Sequence, residues 1–61
     1  MQEYVEVNGT GYIIKIHYEH RHDSRVSIGK NAINIRIPSF LNRDEKARER
    51  LRMKVLATNM I

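Results

Sequence analysis

The clearest signal along the chain is a change of hydrophobic period near its middle. From Tyr12 to Tyr18, Tyr12, Ile14, Ile16 and Tyr18 fall on one side while Ile13, Lys15 and His17 fall on the other, the period-two pattern of a strand with one wet face. A shorter strand with Val5 and Val7 on one face precedes it. Asn8, Gly9, Thr10 and Gly11 lie between, with the tolerance of positive φ that a hairpin turn requires, so the two strands are predicted to pair antiparallel. From Glu19 to Arg25 no residue is apolar, which makes this stretch a solvated connection. Alternation restarts at Val26 and Ile28, breaks at Gly29, Lys30 and Asn31, and resumes at Ile33, Ile35 and Ile37, the pattern of a second hairpin. Asn34 and Arg36 lie between those isoleucines, so the sheet should be isoleucine-rich on one face and polar or basic on the other.

Pro38 lacks the amide hydrogen that a ladder needs and ends the last strand. Asn42 is placed as an N-cap, with Glu45 three residues on as in a capping box and Asp44 beside it at the positive end of the helix dipole. From Arg43 to Met60 there is neither Gly nor Pro and strong helix formers dominate, which predicts a helix of roughly 27 Å. Ala47, Leu51 and Val55 recur at intervals of four and, with Leu41, form the stripe expected to lie on the isoleucine face of the sheet. Met53, Leu56 and Met60 then project away from it. A single sheet covers one side of a helix, so these three are the candidate interface residues.

With 61 residues the chain is one small domain, 1–61, that buries only about 60% of its unfolded surface and needs packing or a partner to compensate. It has no cysteine, so disulfides and cysteine-bound zinc are excluded. No apolar run reaches the roughly 18 residues of a membrane span, and Met1, Gln2 and Glu3 do not open a signal peptide, which leads to the expectation of a cytoplasmic protein with no membrane partner. The formal charge of +4 favours polyanions. Lys15, Arg25, Lys30 and Arg36, on the outward sheet face and its rim, are the candidate nucleic-acid-binding residues. The helical cations are interleaved with Asp44, Glu45 and Glu49, as on a solvated, salt-bridged helix.

His17, His20 and His22 lie within six residues, but zinc needs three or four ligands on a rigid frame, and the nearby carboxylates are Glu19 and Asp23; no metal site and no cofactor are assigned. The hydroxyls are Thr10, Ser24, Ser27, Ser39 and Thr58, with no evident base beside any of them. A His-Glu-x-x-His helix and a glycine-rich phosphate loop are both missing, so no catalytic residue is assigned and the chain is not expected to be an enzyme.

The run Tyr12 to Tyr18, then Arg25, Val26, Ser27, Ile28, then Ile33, Asn34, Ile35, Arg36, Ile37, Pro38 and the charged helix after it, resembles the N-terminal part of the YgjP-type metal-dependent hydrolases, a zinc-peptidase-like family. The resemblance covers residues 12–56. It implies a small β-rich region whose last strand ends in an arginine and a proline, then a helix, with a His-Glu-x-x-His helix and a third histidine further along the family's chains. That metal-binding half has no counterpart here, and Leu56 stands where the family's tryptophan is expected, so no catalytic or ligand residue carries over. The resemblance implies a detached or truncated β-domain, with the spare face of the helix as the place where the remainder docks.

These readings converge on an α+β domain of order ββββα: a four-stranded, mainly antiparallel sheet with one C-terminal helix packed on one face. The expected function is a non-catalytic interaction module that self-associates, or docks on a second protein, through Met53, Leu56 and Met60. Nucleic-acid binding through the basic sheet face and a fragment of a metal-dependent hydrolase are the alternatives.

Overall fold

A computed structural model describes residues 3–61; Met1 and Gln2, which belong to the polar start noted above, lie outside them. Strand β1 (Glu3–Val7) pairs antiparallel with β2 (Thr10–Glu19). Between them Asn8 and Gly9 take φ of 52° and 82°. Two consecutive positive φ values make the mirror-type turn whose twist matches that of the flanking strands, and Asn-Gly is the pair that adopts it at least cost.

The solvated connection separates β2 from β3 (Arg25–Ile28), which forms the second hairpin with β4 (Ala32–Pro38). That turn is closed by Gly29 N–H donating to Ala32 O at 2.8 Å. The sheet order is β1-β2-β4-β3. After β2 the chain crosses to the outer edge as β3 and returns as β4 into the space between, so β2 and β4 run parallel while the other two pairs are antiparallel. The parallel ladder is sealed at its two ends by Ile13 N–H donating to Asn31 O (2.9 Å) and Ser39 N–H donating to Glu19 O (2.8 Å).

This register brings the apolar halves of all four strands onto one face. Ile14 lies opposite Ile33 and Ile16 opposite Ile35 across the parallel pair, while Val26 and Ile28 flank Ile35 and Ile33 from the other side. Ile33, Ile35 and Ile37 are fully buried and join Tyr12, Ile14, Met53 and Ala57 in the core. The reverse face carries Lys15, His17, Asn34 and Arg36, as the alternation implies, and no described element covers it.

Helix α1 (Arg43–Met60) begins at the capping box read from the sequence: Glu45 N–H donates to Asn42 Oδ1 (2.8 Å) and Asn42 N–H to Glu45 Oε1 (3.0 Å). It lies mainly over β4 and β3. Its inward face is the reverse of the expected one. Met53 (3% exposed) and Ala57 (fully buried) meet the isoleucines, whereas Leu51 and Val55 are 65% and 54% exposed and Ala47 is exposed as well. Leu41 and Ile61, at the two ends of the helix, do pack against the core.

The reason lies in what flanks each stripe. Ala57 has no side chain beyond Cβ, so the helix approaches the sheet closely there. Lys46 and Arg50, on the same side as Met53, are half-buried and direct their charged heads to the rim at Tyr18. Glu49 on one flank bonds Ser24 of the β2–β3 connection, and Lys54 on the other bonds Glu3 of β1. These contacts accompany the rotation of the helix that buries Met53 and Ala57.

Candidate functional surfaces

The expected interface residues separate. Met53 is a core residue beneath the helix and is removed from any outward surface, a correction to its assignment as an interface residue. Leu56 and Met60 are 43% and 58% exposed. With Leu51 and Val55 they leave four large apolar side chains exposed along the last three turns of α1, in two stripes: Leu51 and Val55 on one side, Leu56 and Met60 on another, with Met60 half a turn about the axis from Leu51. Leu51 and Val55 stand four residues apart, one above the other, opposite Met53 and Ala57. Their spacing of four identifies a stripe but carries no information about which stripe the sheet selects, and the inward position expected for Leu51 and Val55 belongs to Met53 and Ala57 instead.

The basic sheet residues share a surface but do not form an unbroken cationic patch. His17, Arg36 and Arg25 stand side by side on β2, β4 and β3, with Lys15 beside Asn34 in the next row. Arg36 lies 3.6 Å from Glu19 and Arg25 3.8 Å from Asp23, while Arg21 reaches both carboxylates, at 3.3 and 3.5 Å. Lys15 and Lys30 are exposed. His17 Nε2 donates to Asn34 Oδ1 at 3.3 Å across the parallel pair. His20 and His22 are in the connection, and among the described residues no three His, Cys, Asp or Glu side chains converge on a point that would hold a metal ion. Nor is any helix long and apolar enough to cross a membrane.

Two further clusters involve α1. At Glu49, Arg52 donates through Nε (2.6 Å) and Nη2 (3.0 Å) to the two carboxylate oxygens, and Ser24 Oγ donates as well. These bonds, that from Arg52 first, hold the Glu49 carboxyl below the usual carboxylate range. At the other edge of the helix an open groove of about 520 Å³ runs between the end of β2 and the first turns of α1, lined by Tyr18, Arg43, Lys46, Ala47 and Arg50. Lys46 Nζ stands 5.2 Å from the centroid of the Tyr18 ring, and Arg50 Nη1 donates to Tyr18 Oη at 3.1 Å. Arg43, Lys46 and Arg50 recur at intervals of three and four, a helical stripe that the interleaved carboxylates obscure in the linear sequence.

Comparison with known proteins finds no matching family model, no matching curated protein and no matching solved structure.

Proposed function

We propose that the chain is a non-catalytic interaction module that self-associates through the outer face of α1. The observation that supports this is the exposure of Leu51 and Val55 on the face opposite Met53 and Ala57; Leu56 and Met60 are exposed on another side of the helix and stand outside this patch. A small two-layer domain has few other ways to add buried apolar surface. An antiparallel, two-fold pairing of helices sets Leu51 of one copy against Val55 of the other and opposes the two helix dipoles, so one patch serves both partners. Each large aliphatic side chain covered in this way contributes up to about 2 kcal/mol.

Light scattering on the 7.2 kDa chain at high micromolar concentration tests the reading. A doubled mass is expected, reverting to the monomer in Leu51→Glu with the circular dichroism spectrum unchanged and only partly in Leu56→Asp. A strict monomer at that concentration rejects self-association.

One observation favours a second reading, in which the outer face of α1 docks on the remainder of a metal-dependent hydrolase. Strand β4 carries Arg36 and ends on Pro38, and a helix follows from Arg43, the order of elements that the resemblance to the YgjP-type hydrolases implies. A reading frame that continues beyond Ile61 into a His-Glu-x-x-His helix supports this assignment, and a stop codon directly after Ile61 rejects it.

A further inference from the structure

The groove at Tyr18 collects hydrogen-bond donors and positive charge without an acid to neutralise them. Arg21, Arg25, Arg36, Arg52 and Lys54 each have a carboxylate within 4.0 Å, whereas among the described residues Arg43, Lys46 and Arg50 have none. Of the neighbouring acids in sequence, Asp44 projects from another side of the helix, Glu45 is engaged in the cap, and Glu49, next to Arg50, is taken up by Arg52 and Ser24. Three like charges are thus held around one tyrosine, two of them on half-buried side chains. Such an arrangement raises the local positive potential and attracts an anion.

The tyrosine adds a directed donor. Its oxygen accepts from Arg50, so its single proton remains free to be given to a ligand. We propose that this groove binds the phosphate group of a small phosphate ester, with Arg43, Lys46, Arg50 and the Tyr18 hydroxyl as donors. A carboxylate has two oxygens and one charge, which leaves part of this donor set unanswered; a phosphate monoester offers three terminal oxygens and close to two charges. The groove, at about 520 Å³, is larger than a phosphate group alone. The Tyr18 ring and the Ala47 methyl supply the apolar wall against which the organic part of the ester rests. This site lies on the helix side of the sheet, away from Lys15 and Arg36, and its wall residue Ala47 stands one turn before Leu51 at the start of the Leu51–Val55 stripe.

The test is an amide NMR titration of the 61-residue chain with phenyl phosphate, with inorganic phosphate and benzoate run separately. Saturable shifts at Tyr18, Lys46, Ala47 and Arg50 are expected for phenyl phosphate, weaker binding for inorganic phosphate and the weakest for benzoate. Lys46→Gln and Arg50→Gln should each weaken phenyl phosphate by about tenfold, the loss of one charge-assisted bond. Lys46→Arg should keep most of the affinity, Tyr18→Phe should lose several-fold, and Lys15→Gln on the opposite face should change nothing. Thermal melts establish that each variant is folded. Shifts that stay linear without saturation, shifts spread equally over Lys15 and Lys30, benzoate binding as tightly as phenyl phosphate, or a folded Arg50→Gln that binds unchanged would each overturn the proposal.

Discussion

Truncating the two sides of α1 separately measures which of them the sheet selects. Met53 is 3% exposed and lies among Ile33, Ile35, Ile37 and Ile14, so Met53→Ala removes most of a buried side chain and leaves a void. Such truncations cost about 2–5 kcal/mol. With one helix resting on one sheet, α1 can settle part of the way into the space, which puts the expected loss near the lower end, about 2–3 kcal/mol. Leu51 has given up only about a third of its surface to neighbours. Leu51→Ala therefore loses about a third of the roughly 2 kcal/mol that full burial provides, and the higher helix propensity of alanine offsets some of that, leaving less than about 0.6 kcal/mol. Urea unfolding followed by far-ultraviolet circular dichroism reads both. With a slope near 1 kcal/mol per molar for a domain of this size, Met53→Ala should lower the midpoint by about 2–3 M and Leu51→Ala by about 0.5 M or less. A domain this small has about 3–9 kcal/mol in total, so the first variant stays measurable only if the parent lies in the upper part of that range, and Met53→Leu is the gentler companion. Running each protein at two concentrations tenfold apart separates packing within one copy from association, because only the latter makes the midpoint depend on concentration. If Leu51→Ala costs as much as Met53→Ala at the lower concentration, the helix is turned the other way and the burial described above is wrong.

Two further outcomes follow from particular backbone and charge positions. Gly9 has φ of 82° with open space around its Cα, so Gly9→Ala should destabilise by about 1 kcal/mol through backbone strain alone. Gly29, where an added Cβ meets only Ala32 O at an ordinary 3.7 Å, should tolerate alanine, and equal losses at the two glycines would count against the turn geometry. The carboxyl of Glu49 is depressed by its bonds from Arg52 and Ser24, so its contribution to stability is complete above the unfolded carboxylate value of about 4.3 and fades as the pH falls through that value towards the folded one. The gap in urea midpoint between the parent chain and Glu49→Gln should accordingly be present at neutral pH and close in acid; a gap that does not change with pH rejects the role of the charge.

The elements were legible because each rests on local rules. Alternation from Tyr12 to Tyr18 and from Ile33 to Ile37, positive-φ residues at Asn8 and Gly9, and the Asn42–Glu45 capping box act over a few residues, and the strands, turns and cap appear at those places. Which strands are neighbours is a different matter. Period two says which side chains share a face but not that β4 inserts between β2 and β3, and both that order and a plain meander satisfy the same hairpin signals. The rotation of α1 was illegible for a related reason. Apolar residues occur nearly all round this helix, so the stripe spacing of Ala47, Leu51 and Val55 competes with Met53, Ala57 and Ile61 on equal terms. In the rotation adopted, α1 meets distant parts of the chain, Ser24 at Glu49, Glu3 at Lys54 and Tyr18 at Arg50, whose sequence separations run from 25 to 51 and which no local pattern can reveal. That same rotation exposes the two surfaces on which the proposals rest. Turning Met53 inward leaves Leu51 and Val55 to solvent, and turning Lys46 and Arg50 towards β2 assembles the cationic groove around Tyr18. One rotational choice of a single helix therefore sets both the face proposed for association and the groove proposed for the phosphate, and variants that shift that rotation should alter the two together.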